Sequence, residues 1–182
     1  DDYIDAGSFD ISGSGLTMSG WFRADVIGTN DPRIISKANG TNEADAWWQL
    51  STSNSSTERF IRMRIKAGAD TDTHIDNTTP LITDKWYFAV GTYNNSDGSM
   101  RLYLDGVEVS AKTHTTGGAV DTDPSVTVAI GANGTAERFL NGKLDDVRVY
   151  GRALQPSEIE ALFAARDGTQ AHWALDDGSG TI

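Results

Sequence analysis

Apolar and polar positions alternate with a period of two over most of the chain. The longest such run is residues 86–110. Trp86, Phe88, Val90 and Thr92 share one parity, and Tyr87, Ala89, Gly91 and Tyr93 the other. That is the pattern of a pleated strand, whose successive side chains point to opposite faces. Asn94-Asn95-Ser96-Asp97-Gly98 then interrupts it with residues that tolerate positive φ. Met100, Leu102 and Leu104 alternate with Arg101 and Tyr103. Asp105-Gly106 before Val107-Glu108-Val109 predicts a tight hairpin. The run predicts a three-strand meander, and a meander needs a second apolar layer to bury its face.

The flanking segments can supply that layer. Leu16, Met18, Gly20 and Phe22 alternate with Thr17, Ser19, Trp21 and Arg23, a strand covered on both faces near Trp21. Arg33-Ile34-Ile35-Ser36-Lys37 and Ala46-Trp47-Trp48-Gln49-Leu50 predict two more strands. Adjacent tryptophans in a strand face opposite ways, so one of Trp47 and Trp48 belongs to the core and the other does not. Residues 60–66 give the cleanest alternation, with Ile61, Met63 and Ile65 facing in and Arg62, Arg64 and Lys66 facing out. Residues 70–79 are polar loop or weak strand. Val126, Val128 and Ile130 make another strand. In residues 142–150, strict alternation places Leu144 with Asp146, Arg148 and Tyr150, and Asp145 with Val147 and Val149.

Helical spacing occurs at Pro156 to Ala165, where Ile159, Leu162 and Phe163 fall on one side. Pro156 suits a first turn, and acidic residues lie near the positive end. Ala171-His172-Trp173-Ala174-Leu175 is a further strand candidate. About ten short strands and one helix predict an all-β fold, a two-sheet antiparallel jelly-roll β-sandwich with one short helix near the C-terminus.

Composition narrows the function. The 182 residues fit one domain, and the 19 glycines suit many turns. A net charge of −11 argues against nucleic acid, which requires clustered Lys and Arg. No apolar run approaches the roughly 20 residues needed to cross a bilayer, so membrane insertion is not expected. With no cysteine, a disulfide framework and thiolate metal sites are excluded.

Several segments, in this order, carry a resemblance. They are Leu16 to Trp21, Ile34 to Lys37, Trp86 to Tyr93, Leu102-Tyr103-Leu104-Asp105-Gly106, Ile130-Gly131, and Phe139 to Leu154 followed by Ser157-Glu158-Ile159. The set resembles laminin-G-like domains of the concanavalin A-like lectin/glucanase superfamily over nearly the whole chain. The resemblance implies a jelly-roll sandwich, often with one structural Ca2+ ion. It also implies a secreted or cell-surface accessory module, joined to flanking domains of a larger chain. Residues 1–166 correspond to the sandwich. Residues 167–182 resemble the strand with which such domains open, a strand absent from the front of this chain. That tail either completes this sandwich, with 171–175 pairing to 144–150, or begins a next repeat.

Three kinds of chemistry follow. Glucanases of this superfamily carry catalytic carboxylates as Glu-x-Asp-x-(x)-Glu on a strand face. That pattern is missing here, and His74, His114 and His172 are scattered, so no catalytic residues are assigned. For calcium, the acidic pairs Asp1-Asp2 and Asp145-Asp146 become neighbours if the first and last strands adjoin, which makes them the candidate ligands. A competing reading pairs Asp145 with Arg148 or Arg152. For carbohydrate, Trp47, Gln49, Arg62 and Arg64 point away from the apolar face and could line an exposed sheet face, with Lys66 beside them. Arg62 and Arg64 could grip a carboxylate or sulfate of an anionic polysaccharide. The alternative is a spacer or protein-interaction domain without a glycan ligand.

Overall fold

The computed structural model describes residues 2–26, 31–53, 58–76 and 78–167. The expectations placed on Asp1 and on residues 171–175 lie outside them. The elements run β1 (Ile4–Asp5), β2 (Gly15–Ala24), β3 (Arg33–Ala38), β4 (Ala46–Thr52), β5 (Ile61–Ala67), β6 (Asp70–Ile75), β7 (Trp86–Asn94), β8 (Ser99–Leu104), β9 (Val107–Thr113), β10 (Val128–Ile130), β11 (Gly142–Tyr150) and α1 (Pro156–Asp167). They form a six-stranded sheet in the order β1-β10-β3-β4-β5-β6 and a five-stranded sheet in the order β11-β2-β7-β8-β9. The strand pairs are antiparallel throughout. The jelly-roll sandwich read from the alternation is therefore present.

The interior between the sheets is built from the predicted parities. Leu16, Met18 and Phe22 of β2 meet Trp48 and Leu50 of β4, Ile61, Met63 and Ile65 of β5, and Leu102 and Leu104 of β8 in one buried cluster. Each such side chain contributes about 1.5–3 kcal/mol by leaving water. Trp48 is fully buried and Trp47 only partly so, as adjacent positions require.

The other parity of the five-stranded sheet is not solvated. Trp21, Phe88, Val90 and Tyr103 form a second cluster with Leu154 and Ile159, and α1 closes it. The Phe163 ring stacks on Trp21 at 5.6 Å, and Trp21 lies 5.3 Å from Phe88. This is why residues 86–93 are apolar on both parities: each face meets a different layer. The Asp105-Gly106 turn closes β8 to β9 with φ of 51° and 81°, and the Asp105 carboxylate accepts the Phe88 amide at 2.8 Å.

Strict alternation fails in β11. Asp145 stands opposite Trp21 and Arg148 opposite Ser19, so three residue steps on β11 match two on β2. The bulge, with Asp146 at φ 50°, inserts one residue and reverses the parity. Leu144, Val147 and Val149 consequently all pack toward the main core, and Asp145 is exposed instead of sharing their face.

Candidate functional site

The outer face of β3, β4 and β5 carries an array of polar side chains. Two rows cross the sheet. One is Arg33 opposite Ser51, which lies opposite Arg62. The other is Ser36, Gln49, Arg64 and Thr73 in successive opposition. Trp47 and Lys66 come next along β4 and β5, and the Lys66 ammonium lies over the Trp47 ring. The alternation of 60–66 thus places Trp47, Gln49, Arg62 and Arg64 together on one face, as expected.

The exposure of that face differs from the expectation. Gln49 is 0% exposed, Arg62 2% and Arg64 9%; Trp47 and Lys66 are half-buried. Loops roof the array. The Ser36 hydroxyl donates to the Ala132 carbonyl at 3.0 Å, and the Arg33 amide donates to the Arg138 carbonyl at 3.0 Å. Glu43 takes the Thr73 hydroxyl, and Thr73 accepts Arg64 Nε at 2.9 Å. The face therefore runs from an open end at Trp47 and Lys66 to a closed end at Arg33 and Arg62.

Arg33 enters this face because β3 is irregular between Arg33 and Ile35. Ile34 and Ile35 both reach the core, and Arg33 turns outward opposite Ser51. Asp31, itself buried with φ 60°, answers it. Asp31 Oδ2 accepts Arg33 Nη1 at 2.7 Å, and Asp31 Oδ1 pairs with Arg62. Burial, and then the nearby Arg64 and Arg138, push Arg33 and Arg62 down to about 9. Burial likewise lowers Arg64, while Glu43 acts against it. All three guanidiniums stay charged at neutral pH. Arg33, Asp31 and Arg138 were not among the sequence candidates. A one-residue bulge leaves no mark on composition, and the roof is a long-range contact.

The candidate calcium ligands are arranged differently. Asp2 borders a groove of about 210 Å³ that also reaches Gly142 and Leu144, but β1 pairs with β10 and β11 with β2, in different sheets. The Asp146 carboxylate is taken by Arg148, whose Nε and Nη2 donate at 2.7 and 2.8 Å. Asp145 is also engaged. Among the described residues no three His, Cys, Asp or Glu side chains gather around a common point, so the described donors alone do not fit a calcium cage. Two further acidic residues, Asp121 and Asp123, are engaged by turn amides. Asp121 accepts the Gly68 and Ala69 amides at 2.9 and 3.0 Å, and Asp123 accepts that of Ser125 at 2.9 Å.

Among the described residues no helix is long and apolar enough to cross a membrane. A zebrafish (Danio rerio) adhesion G-protein coupled receptor V1 is 25% identical over 159 residues, covering 86% of this chain; the chain spans 2% of that receptor's length. Two solved structures are similar in fold. A native heptameric SAP-like pentraxin from Limulus polyphemus superposes with a TM-score of 0.65 at 15% identity, covering 88% of this chain and 74% of that one. Domain 4 of AbnA, a GH43 extracellular arabinanase from Geobacillus stearothermophilus in complex with arabinotriose, gives 0.63 at 20% identity, covering 88% and 71%. Residues 1–160 match the Laminin_G_3 family model, and the chain belongs to that family of the concanavalin A-like lectin/glucanases superfamily.

Proposed function

We propose that this domain is a non-catalytic carbohydrate-binding or adhesion module of a larger extracellular protein. The observation that carries the reading is the open end of the polar sheet face. There the half-buried Trp47 ring stands beside the half-buried Lys66 ammonium, on adjacent strands, with the roofed Gln49 and Arg64 behind them. Sugar rings stack on aromatic faces while fixed polar groups set their orientation. The arabinotriose complex of the similar arabinanase domain and the match to an adhesion receptor support this reading. Its partner is a polysaccharide or cell-surface glycan. A glycan array, run with and without calcium and repeated with Trp47→Ala, tests it. Retention of a glycan by the parent chain and its loss in the variant are expected; silence across the array by a folded protein overturns the reading.

A second reading has its own observation. Gln49, Arg62 and Arg64 are roofed, so the polar face could serve as internal scaffolding in a spacer or protein-interaction domain. Array silence favours this one. Calcium at Asp1, Asp2, Asp145 and Asp146 belongs to the first proposal, and it requires Arg148 to release Asp146. A lower melting temperature in EDTA supports it, and an unchanged one removes it.

A further inference from the structure

The loop that roofs the polar sheet face also borders a cavity of about 730 Å³. Residues 137–142, leading into β11, form one wall. Thr41, from the connection between β3 and β4, forms another, and Asp2 stands just ahead of β1. The volume falls within the range of about 300–1,000 Å³ usual for small-molecule sites.

The walls are fixed from several sides. The Asn133 side chain accepts the Glu137 amide at 2.7 Å and donates to the Gly40 carbonyl at 3.0 Å, which ties the two connections together. The Arg138 carbonyl accepts the Arg33 amide at 3.0 Å. The Leu140 amide donates to the Gly131 carbonyl at 2.8 Å, and the Asn141 carbonyl accepts the Asp25 amide at 2.9 Å. Ala136 and Arg138 take φ of 56° and 58°. Non-glycine backbone in that region persists where its surroundings fix it, and it concentrates at ligand sites. The groups lining the cavity are thereby held in place before any ligand arrives, which lowers the cost of binding.

The polar lining is of mixed sign. Asp2 and Glu137 offer carboxylate acceptors, Asn141 an amide that accepts and donates, and Thr41 a hydroxyl. The Thr135 hydroxyl donates to Glu137 Oε2 at 2.9 Å and orients that carboxylate. Arg138 also lines the cavity and already has a partner within the chain. The Phe139 ring is half-buried, with the Tyr3 ring at an edge-type angle and 6.1 Å between centroids. An acidic ligand would meet two carboxylates here. A bare cation would meet a guanidinium, and among the described residues no three His, Cys, Asp or Glu side chains gather to hold a metal. The lining matches an uncharged molecule, rich in hydroxyl donors, with an apolar face for the ring.

We propose that this cavity binds an uncharged saccharide, whose hydroxyls donate to Asp2, Glu137 and Asn141 while one face of a sugar ring rests against Phe139. The inference deepens the carbohydrate reading above and rests on it. It adds a sugar position on the roofing loops and excludes acidic polysaccharide from that position.

The test uses the 182-residue chain with Glu137→Gln, Asn141→Ala and Phe139→Leu. Glu137 and Asn141 are exposed, so these two variants remain informative should Phe139→Leu fail to fold. Calorimetry follows cellotetraose, xylotetraose, galactotetraose and oligogalacturonate, and a thermal melt checks each variant for folding. The parent is expected to bind at least one neutral tetraose in preference to oligogalacturonate, and each variant to bind it about tenfold more weakly. Parent affinity in folded Glu137→Gln and Asn141→Ala overturns the inference; if Trp47→Ala abolishes that same binding, the carbohydrate reading stands without it. Binding that survives Trp47→Ala and is lost in the cavity variants supports the cavity and removes Trp47 as the platform. Retention of oligogalacturonate alone overturns the inference and leaves the carbohydrate reading standing. Silence of the folded parent toward all four overturns the inference, and the glycan array then decides the broader reading.

Discussion

The Lys66 ammonium sits 4.7 Å from the centroid of the Trp47 ring, at the open end of the polar sheet face. Contact of this kind stabilises an exposed pair by about 0.5–1 kcal/mol and holds the ring flat. Trp47→Ala is therefore expected to lower stability modestly while removing glycan retention. Trp48→Ala, one residue on and fully buried, is expected to cost about 3–5 kcal/mol. Urea denaturation of the two variants checks the contrast. Equal losses would mean that Trp47 is structural and not a platform.

Asp31 is the carboxylate partner of both Arg33 and Arg62. Asn tolerates the same left-handed backbone, so Asp31→Asn removes the charge and keeps the turn. Breaking a buried pair from one side costs about 3–5 kcal/mol, because the remaining cations stay buried. A denaturation midpoint within error of the parent protein would show that the cluster is neutralised by something else.

His74 gives a pH dependence. Burial holds its imidazole below the ordinary 6.5, with Lys112 acting the same way and the Ser110 backbone and Asp76 opposing. Just below pH 6.5 the unfolded chain then binds more protons at this position than the folded one. The contribution of His74 to stability is complete above pH 6.5 and declines as the pH falls beneath it. His74→Gln is expected to flatten that part of the melting-temperature profile. Parallel profiles for parent and variant would contradict the assignment.

Gly13 approaches Gly151 so closely that a Cβ on Gly13 would lie 1.6 Å from the Gly151 carbonyl oxygen. Backbone on both sides leaves no flexible side chain to yield. Gly13→Ala must push apart the entry to β2 and the exit from β11, at a cost of about 3 kcal/mol. A thermal melt unchanged by this substitution would rule the contact out.

Much of the architecture could be read from parity, because a half-buried strand leaves its period in the chain. Ile61, Met63 and Ile65 went inward, Arg62, Arg64 and Lys66 outward, and Leu102 and Leu104 inward, as alternation requires. Two irregularities escaped it. The bulge after Asp145 reversed the faces of β11, and that between Arg33 and Ile35 brought Arg33 beside Arg62. Neither has a compositional signature, since it adds only one ordinary residue. The roofing of Gln49, Arg62 and Arg64 was equally hidden. Parity tells which face a side chain takes, not what a loop a hundred residues away lays over it.

The two outer faces of the sandwich are closed by materials of opposite character. One cover is the oily helix α1 over Trp21 and Phe88; the other is a hydrophilic set of loops over Ser36, Gln49 and Arg64. Peeling the first away would make the protein sticky, whereas lifting or rewriting the second exposes groups already content in water. Descendants of such a chain are thus free to vary the loop cover, and with it the molecules they recognise, while the helical side stays fixed.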